Sequence, residues 1–362
     1  MKIIFFINSL QQQRCYKRIR EFISNGYEIE AYGFEREGSK VPIVKGIEPI
    51  SLGFISAQMS NAQRLLIMRQ AIKPIVQRHK HNKDCIFYYF LLDVAMAGYS
   101  VSRHPFIYEE SDLSQAYIKN KIIRTTLDII DRHIIKKSIL TIFTSSGFLK
   151  YHYNGEQKEN IIVVPNKLDK RILQFTYNSQ PIDYNHLKFG YVGHIRHKST
   201  IRFATIIAQY FPKHEVHLYG TVRPEINIEE LKQYNNIYIH GCFTNPDDLP
   251  QIYENIDLLL APEYDEYEEN GKYAEPNKLY DAIYFRKPII TNPYTHTAEI
   301  ISEQNIGFAI KFDDIHIKQF VETLSKEIID DKLTSLKQIS QQDAINDNPQ
   351  LFNILNRLII NK

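Results

Sequence analysis

The chain has 362 residues, enough for two domains of ordinary size, and 43% hydrophobic with 24% charged residues is the composition of a folded globular protein. A formal net charge of only +2 gives no overall field that would favour nucleic acid as a partner. No window reaches the roughly 18 uninterrupted apolar residues of a bilayer span. The widely spaced Cys15, Cys85 and Cys242 form no metal-ligand pattern and indicate a reducing, cytoplasmic compartment.

The first half of the chain alternates short apolar runs with amphipathic segments. The opening run reads as a first strand and not as a signal peptide, because polar residues soon end it. The alternation predicts a parallel, doubly wound sheet. The predicted strands are 2–7, 27–34, 85–90, 105–109, 140–144 and 161–164, and the predicted helices are 14–25, 62–79, 119–137 and 146–153.

The predicted helix 119–137 is both apolar and basic. Its predicted apolar side consists of Ile122, Ile123, Leu127, Ile130, Ile134 and Ile135, and six Lys and Arg residues surround that side. Two interpretations stay open at this point. The helix packs against its own sheet, or its basic and apolar surface rests on an anionic membrane.

A polar segment, 170–186, is predicted to link this half to a second α/β alternation. The strands there are 187–192, 215–219, 237–240, 257–261, 288–291 and 306–310, and helices are expected at 200–210, 249–254, 276–286, 316–338 and 349–360. We therefore predict domains 1–175 and 185–345 and a C-terminal helix in 346–362. Two such domains should enclose a central cleft, with ligands beyond the carboxyl ends of the strands.

The segment 274–291 has the features of an anion site. Pro276 suits a first helical position, and Asn277 and Lys278 fall in the first turn, where backbone N–H groups are available to a phosphate. Asp281, one turn further along, could reach a sugar hydroxyl. The alternative is an ordinary capped helix that leads into a core strand.

Two glycine-bearing strand exits add to this site. Gly193 lets the backbone approach a ligand closely, and Arg196 and Lys198 can neutralise a diphosphate. His194 and His197 read as polar loop residues without metal-ligand companions. Gly220 ends the next strand and suits a flat ring lying against the backbone. Each glycine taken singly is better explained as a turn residue.

In chain order, these pieces resemble the nucleotide-sugar domain of a GT-B glycosyltransferase of the group 1 type (glycosyltransferase family 4). The resemblance rests on Gly193-His-Ile-Arg-His-Lys198, Leu218-Tyr-Gly220, Gly241-Cys-Phe, and the segments 249–262 and 276–290. The first half is similar to that family's acceptor domain in Phe143-Thr-Ser-Ser-Gly-Phe148 and Ile161-Ile-Val-Val-Pro-Asn166. The implied fold is GT-B, with two Rossmann-like doubly wound domains.

The resemblance implies roles for individual residues. Arg196 and Lys198 would bind the donor diphosphate and stabilise the charge that develops on it as it leaves. Asp281 would hold the ribose hydroxyls, in place of the longer Glu that is usual there. The implied donor-binding set is Gly193, Arg196, Lys198, Gly220, Asn277, Lys278, Leu279 and Asp281.

Two features depart from the family pattern. Tyr273 stands where a Glu near the transferred sugar is expected, and the nearest acids are Glu275, Glu268 and Glu269. No glycine-rich loop follows the first strand. The acidic, Tyr-bearing loop 263–269 is predicted as a mobile surface loop at the cleft mouth, or alternatively as a sugar-selecting lid.

For the acceptor side, Glu109 and Asp112 at a strand exit are the candidate acids, and the alternative is a solvated loop or a helix cap. Without an Asp-x-Asp motif, we expect no metal and no cofactor besides the donor. Transfer in this family usually retains the anomeric configuration, where the leaving phosphate can assist.

The sequence thus predicts a glycosyltransferase that moves a sugar from a nucleotide-sugar donor to a saccharide or lipid-linked oligosaccharide acceptor. Its expected setting is the assembly of cell-surface polysaccharide, such as capsule or O-antigen, with peripheral contact at the inner face of the membrane. The alternatives are an inverting transferase, a nucleotide-sugar epimerase, or a noncatalytic two-lobed protein that binds a phosphorylated ligand.

Overall fold

The computed structural model describes residues 1–37, 46–262 and 269–360, and the chain divides into two α/β domains. The first domain comprises Met1–Pro165 together with Asn348–Lys362, and the second comprises Asn166–Asp347. Residues 263–268 of the predicted acidic loop lie outside the described residues.

The first domain is built on a seven-stranded sheet in the order β3-β2-β1-β4-β5-β6-β7. All neighbouring strands are parallel. The core strands β1 and β4 are almost wholly buried, as expected where helices cover both faces of a parallel sheet. Its elements are β1 (Lys2–Ile7), α1 (Gln13–Ser24), β2 (Glu28–Glu35), β3 (Ile50–Phe54), α2 (Asn61–His79), β4 (Cys85–Phe90), α3 (Leu92–Val101), β5 (Phe106–Glu110), α4 (Lys121–Lys137), β6 (Leu140–Phe143), α5 (Ser146–Tyr153) and β7 (Ile161–Val163).

The second domain is built on a six-stranded parallel sheet in the order β10-β9-β8-β11-β12-β13. Counted within the domain, this is the Rossmann order 3-2-1-4-5-6, which reverses direction between β8 and β11. Its elements are β8 (Lys188–Val192), α6 (Lys198–Tyr210), β9 (Glu215–Tyr219), β10 (Ile237–Gly241), α7 (Leu249–Glu254), β11 (Leu258–Ala261), α8 (Asn277–Phe285), β12 (Ile289–Thr291), α9 (His296–Glu303), β13 (Gly307–Ala309), α10 (Asp314–Thr323) and α11 (Lys326–Gln338).

The last helix, α12 (Pro349–Ile360), returns to the first domain. Leu351 and Leu355 are buried in the same apolar cluster as Phe5. The ring of Phe352 lies 5.1 Å from that of Phe22 on α1. The apolar face of this helix is therefore part of the first core, whereas the sequence had suggested a separate C-terminal element.

The boundary between the two domains lies before the predicted linker 170–186, between Pro165 and Asn166. Leu168 and Ile172 are buried in a core cluster of the second domain together with Ile345. Leu168 also pairs with Ile345 through an isolated parallel bridge. Leu168, just ahead of the polar segment, and Ile172 within it thus anchor this part of the chain to the second domain. The first domain's leading segment ends at Pro165.

Three elements had no counterpart in the sequence prediction: β3, α3 and α9. Pro276 precedes α8 as its N-cap residue and is not the first helical residue. Short 3-10 helices are found at Ser114–Tyr117, Lys170–Gln174, Glu229–Gln233, Glu269–Lys272 and Gln341–Ala344. None of the described helices combines the length and the apolarity that crossing a bilayer requires.

The predicted apolar side of α4 is wrong in its first turns. Ile134 and Ile135 are buried as expected, but Ile122 and Ile123 are exposed. The helix also begins at Lys121, after an N-cap at Asn120, and not at residue 119. Periodicity alone could not separate the two faces, because isoleucines occur on both.

Candidate active site

The candidate donor site lies where the second sheet changes direction. β8 and β11 are neighbours, with Phe189 opposite Leu258 and Gly190 opposite Leu259. From β8 the chain passes through α6 to β9 on one side, and from β11 it passes through α8 to β12 on the other. The loop after β8 and the start of α8 therefore meet at the sheet's topological switch point, where open α/β sheets bind ligands.

Two glycines fix the strand exits at this point. Gly193 and Gly220 have φ angles of +133° and +128°, which L side chains rarely adopt. A Cβ on Gly220 would lie 1.8 Å from the carbonyl oxygen of Gly193. The N–H of Gly193 donates to the Tyr219 carbonyl at 2.9 Å, and that of Gly220 donates to the Gly241 carbonyl at 2.6 Å. The close approach at Gly220 is thus between two backbone segments, and ligand contact at either glycine stays a prediction.

Lys278 reaches from α8 across the switch point. Its Nζ lies 4.5 Å from the ring centroid of Tyr191 on β8, a favourable cation–π position. A Cβ on Gly193 would be 3.6 Å from the same Nζ. The structure therefore brings together Gly193, Gly220 and Lys278, three of the residues that the sequence assigned to the donor site.

Several cations converge around His194 in the same loop. Burial lowers the pKa of His194, and the nearby positive charges of Arg196, Arg223 and Lys278 lower it further. A hydrogen bond of 2.8 Å joins its Nδ1 to the Thr221 hydroxyl. Arg223, which follows β9, was missed in the sequence because only the β8–β9 pairing brings it to this loop. Arg guanidinium groups in this setting suit a diphosphate.

The helices that follow β8 and β11, α6 and α8, lack a capping side chain. The residues ahead of α6 and α8 make no side-chain hydrogen bond to the first turn. By contrast, α9, α10 and α11 of the same domain are capped by Thr295, Asp313 and Ser325. The starts of α6 and α8 carry the partial positive charge that helix N-termini contribute at anion sites.

The other basic residues of this loop are placed differently. Arg196 Nε donates to His197 Nε2 at 3.1 Å, and His197 is buried ahead of α6. Lys198 is exposed as the first residue of α6, and it lines a groove of about 470 Å³ together with Arg202 and Glu225. Lys198 therefore borders a mixed-charge groove, and its role in donor binding stays a prediction.

The remaining α8 residues differ in exposure. Asn277 is exposed at the helix start, whereas Leu279 is buried in the apolar core. Asp281 is also buried, and its Oδ2 accepts a hydrogen bond of 2.9 Å from the hydroxyl of Tyr253. Burial and this carboxylate raise the pKa of Tyr253 well above its ordinary value, so the hydroxyl stays a donor.

A buried acid lies close to the position where the sequence lacked the expected Glu. Glu275 accepts a hydrogen bond of 2.5 Å from Tyr280, and its other oxygen is 3.4 Å from His296 Nε2. His296 also pairs with Glu299 at 2.9 Å. Glu275, which the sequence named among the nearest acids, is thereby held in a defined geometry just before α8.

In the first domain, the two predicted acceptor-side acids have unlike surroundings. Glu109 is buried, pairs with Arg18 at 2.9 Å and accepts a hydrogen bond from the hydroxyl of Tyr88. Asp112 is only half-buried and pairs with Arg14 at 2.9 Å. Glu109 thus belongs to a core ion-pair network, and Asp112 is the better placed of the two to meet a substrate.

A further acid of the first domain, Asp93, was not among the predicted site residues. The first sheet changes direction between β1 and β4, and Asp93 lies in the first turn of α3, directly after β4. Asn8, after β1, donates to Asp93 and accepts from Arg36 at 3.2 Å. Burial raises the pKa of Asp93. Asp93 reaches Asn8 only because β1 and β4 are neighbours, which the sequence alone does not indicate.

One group among the described residues has the spacing of metal ligands. Glu110, Asp131 and His152 are fully buried, and one donor atom from each lies within 4.8 Å of the others. His152 Nε2 is 3.0 Å from Glu110, and Tyr108 and Gln115 donate to Asp131 at 3.0 and 2.9 Å. These hydrogen bonds satisfy the carboxylate oxygens without a cation. We therefore treat the group as part of the core of the first domain.

Comparison with known proteins agrees with this architecture. Residues 186–330 match the family model of glycosyl transferases group 1. Sucrose-phosphate synthase from Thermosynechococcus elongatus is similar over 100% of both chains, with 11% identity and a TM-score of 0.70. Anabaena Alr3699/HepE in complex with UDP and glucose is similar over 99% of this chain and 100% of its own, with 16% identity and a TM-score of 0.68.

Succinoglycan biosynthesis protein ExoL from Rhizobium meliloti (strain 1021) is 21% identical over 337 residues, which cover 87% of this chain and 82% of ExoL. The structural likenesses define the class, a two-domain protein of the GT-B fold. Residues 186–330 of the second domain match the group 1 family model, and the protein is a glycosyltransferase. The predicted family, fold class and enzyme class are confirmed.

Proposed function

We propose that the protein transfers a sugar from a UDP-sugar to a saccharide acceptor during assembly of a cell-surface polysaccharide. The observation that carries this proposal is the approach of Lys278 and Arg223 to the loop after β8 that holds Arg196. Lys278 Nζ lies over the ring of Tyr191, and the N–H of Arg223 donates to the Ile195 carbonyl at 2.9 Å. The likeness to a protein seen with UDP and glucose supports UDP as the nucleotide. The likeness to a succinoglycan biosynthesis protein supports a polysaccharide product.

The donor diphosphate would lie across the switch point of the second sheet. Lys278 and the uncapped start of α8 would contact it from one side, and Arg196 and Arg223 from the other. These groups would stabilise the negative charge that grows on the diphosphate as the glycosidic bond breaks. Lys198, Asn277 and the Gly193–Gly220 backbone would complete the donor site, with Asp281 near the ribose.

The acceptor would be bound by the first domain, with Asp112 as its acidic contact. We propose a lipid-linked oligosaccharide as acceptor, capsule or O-antigen as the setting, and the cytoplasm as the compartment. The three free cysteines, one of them exposed, suit a reducing environment. We further propose that transfer retains the anomeric configuration and needs no metal, because the cations named above can neutralise the leaving diphosphate.

The test is a screen of UDP- and GDP-sugars with the purified protein, first by thermal shift and then by release of the nucleotide. A UDP-sugar should raise the melting temperature, since a ligand bound by the folded state stabilises it. The paired variant Arg196→Ala with Arg223→Ala should lose this shift, whereas Lys213→Ala, at an exposed position just before β9, should keep it. Retention of the full shift in the paired variant would remove the basis of the proposed donor site.

Three further readouts test the proposed retention of configuration, the proposed metal independence and the epimerase alternative. The anomeric configuration of the product, read by NMR, should match that of the donor, and inversion would favour the alternative of an inverting transferase. Activity should persist after treatment with EDTA, and its loss with recovery on adding a divalent cation would contradict metal independence. Conversion of the donor to an epimer without any transfer would instead favour the epimerase alternative.

A further inference from the structure

The loop after β12 exposes one large aromatic side chain. Tyr294 is 86% exposed, whereas the other residues of 289–298 are buried, apart from the half-buried Pro293. Within the part of the chain that the structure describes, the Tyr294 hydroxyl has no hydrogen-bond partner. A single exposed aromatic residue is ordinary on a protein surface, so its exposure alone assigns it no role.

The backbone of Tyr294 is strained as well. Its φ is +63°, in the left-handed region that side chains rarely adopt and that a glycine would adopt without strain. The flanking backbone is held in place, because the Thr295 hydroxyl donates to the Asn292 carbonyl at 3.0 Å and accepts from the N–H of Ala298 at 3.0 Å. The exposed ring gains no packing that would offset this strain. An uncompensated departure of this kind is typical of functional sites.

This loop lies close to the start of α8. β12 is separated from β8 only by β11, so the exits of β8 and β12 are two strand spacings, about 10 Å, apart. The Thr297 hydroxyl donates to the Ala274 carbonyl at 3.2 Å, and His296 Nε2 lies 3.4 Å from Glu275. These contacts fasten the loop to the segment that leads into α8, the helix whose start would contact the donor diphosphate.

The position of the loop matches the sugar end of a nucleotide-sugar donor. The nucleoside and the sugar extend from the diphosphate in opposite directions. The nucleoside is expected on the side of β9, where Gly220 suits a flat ring, and the sugar then falls on the side of β11 and β12. A pyranose has an apolar C–H face with hydroxyls around its rim, and a tyrosine ring offers a matching apolar face with a polar hydroxyl.

We propose that Tyr294 contacts the sugar that is transferred, with its ring packed against the apolar face of a nucleotide-linked pyranose. This inference rests on the proposed function and assigns a sugar-contacting residue to the same donor site. The locked backbone fixes the direction in which the side chain leaves the loop, so little ordering is needed when the sugar binds.

The experiment is calorimetric titration of the full chain with UDP, UDP-glucose, UDP-galactose and UDP-N-acetylglucosamine. Tyr294→Gly should bind the UDP-sugar that the wild type prefers about three- to tenfold less tightly, with UDP affinity unchanged. Tyr294→Phe keeps the ring and should bind within about twofold of the wild type. Tyr210→Ala is the matched control and should bind as the wild type does. Tyr210 is 55% exposed and lies at the far end of α6 from the donor loop.

Two further readouts separate a sugar contact from a structural role. Tyr294→Gly removes strain and no packing, so its melting temperature without ligand should equal or exceed that of the wild type. The chain contains no tryptophan, so Tyr294→Trp introduces a single fluorescent reporter. Its emission should change when the preferred UDP-sugar is added and should not change with UDP.

The outcomes distinguish this inference from the proposed function. Unchanged UDP-sugar affinity in Tyr294→Gly overturns the inference, as does an equal loss of affinity for UDP and UDP-sugar, or a lowered melting temperature. The proposed donor stands in each of these cases, because the wild type binds it. Absence of binding of every UDP compound to the wild type is a different result, which removes the proposed donor and this inference together.

Discussion

Gly220 packs against the carbonyl group of Gly193 so closely that a Cβ on residue 220 would lie 1.8 Å from that oxygen. The contact joins the exits of two neighbouring strands, β8 and β9. Arg196 and Arg223 follow these two exits, so the glycine contact holds together the two backbone segments that carry these arginines. The contact is therefore a structural requirement of the site, whichever ligand occupies it.

Gly220→Ala should damage both stability and donor binding. The new methyl group must displace the Gly193 carbonyl, and the alanine must also adopt a φ of +128°. Backbone strain of this kind costs about 1–3 kcal/mol before the steric clash is added. We expect a melting temperature lower by several degrees and weaker UDP binding, measured by thermal unfolding and by calorimetric titration.

Gly241→Ala is the matched control for this substitution. Its φ is also positive, at +79°, but a Cβ there would meet no atom within 4 Å. It should show the backbone strain alone, so its loss of stability should be smaller than that of Gly220→Ala. Equal effects of the two substitutions would show that the Gly193 contact is not what makes Gly220 necessary.

Glu109 and Asp112 should respond to substitution in opposite ways. Glu109→Gln removes one of the two carboxylates that pair with the buried Arg18, of which the other is Glu21. Breaking a buried ion pair costs up to about 3–5 kcal/mol. Asp112→Asn affects a half-exposed pair, where the cost is about 1 kcal/mol or less. We expect Glu109→Gln to lower the melting temperature strongly and Asp112→Asn to lower the transfer rate while leaving stability nearly unchanged. A stable Glu109→Gln protein with no transfer activity would reverse these assignments.

The stability of the first domain should depend on Glu110 in the neutral pH range. Burial raises the pKa of Glu110 to about 8. Between its usual value near 4.5 and pH 8, the folded protein therefore holds a proton that the unfolded chain has released, so stability falls as pH rises and levels off above pH 8. Burial lowers the pKa of His152 from its usual value near 6.5. This shift makes stability rise with pH, but only below about pH 6.5, so it does not cancel the effect of Glu110 above that pH.

Glu110→Gln should accordingly flatten the stability profile between pH 6.5 and 8. Each proton held only in the folded state contributes a slope of about 1.4 kcal/mol per pH unit. Urea unfolding at a series of pH values measures this slope, with the exposed Glu159→Gln in the same domain as the control. An unchanged slope in Glu110→Gln would mean that another group binds the proton.

Asp93 should matter for the acceptor and not for the donor. It lies at the switch point of the first sheet, bonded to Asn8, and burial raises its pKa. Asp93→Asn keeps the size of the side chain and removes its charge. We expect transfer to the acceptor to fall by at least about tenfold, while UDP binding is unchanged. Loss of UDP binding in this variant would argue that the first domain contributes to the donor site.

The sequence predicted most elements of this fold because its buried strands are short apolar runs bounded by polar or glycine residues. Pairing between distant segments was not accessible to the same reasoning. Arg223 reaches the donor loop only through the β8–β9 pairing, and Asp93 reaches Asn8 only because β1 neighbours β4. The acidic character of Glu109 also could not show that it is buried in an ion pair with Arg18 and a hydrogen bond from Tyr88.

The hydrophobic periodicity of α4 was likewise not enough to predict which of its side chains are buried. A helical apolar stripe predicts one buried face, and here isoleucines occupy the outward face as well, as Ile122 and Ile129 demonstrate. Gly193 and Gly220 show a different limit of sequence reasoning. The sequence predicted that Gly193 and Gly220 admit a ligand close to the backbone or serve as turn residues. A single chain position cannot show whether a ligand or a neighbouring strand exit fills the space.

The most direct test of the account is calorimetric titration of UDP into the wild-type protein and into Lys278→Ala. Lys278 Nζ lies at the switch point, over the ring of Tyr191 and beside Gly193. A hydrogen bond from a charged group contributes about 1.5–3 kcal/mol, so Lys278→Ala should weaken UDP binding by about 10- to 150-fold. Lys326→Ala, which removes an equal charge from α11 of the same domain, should bind as the wild type does. Equal UDP affinity in Lys278→Ala and wild-type protein would contradict the donor site described above.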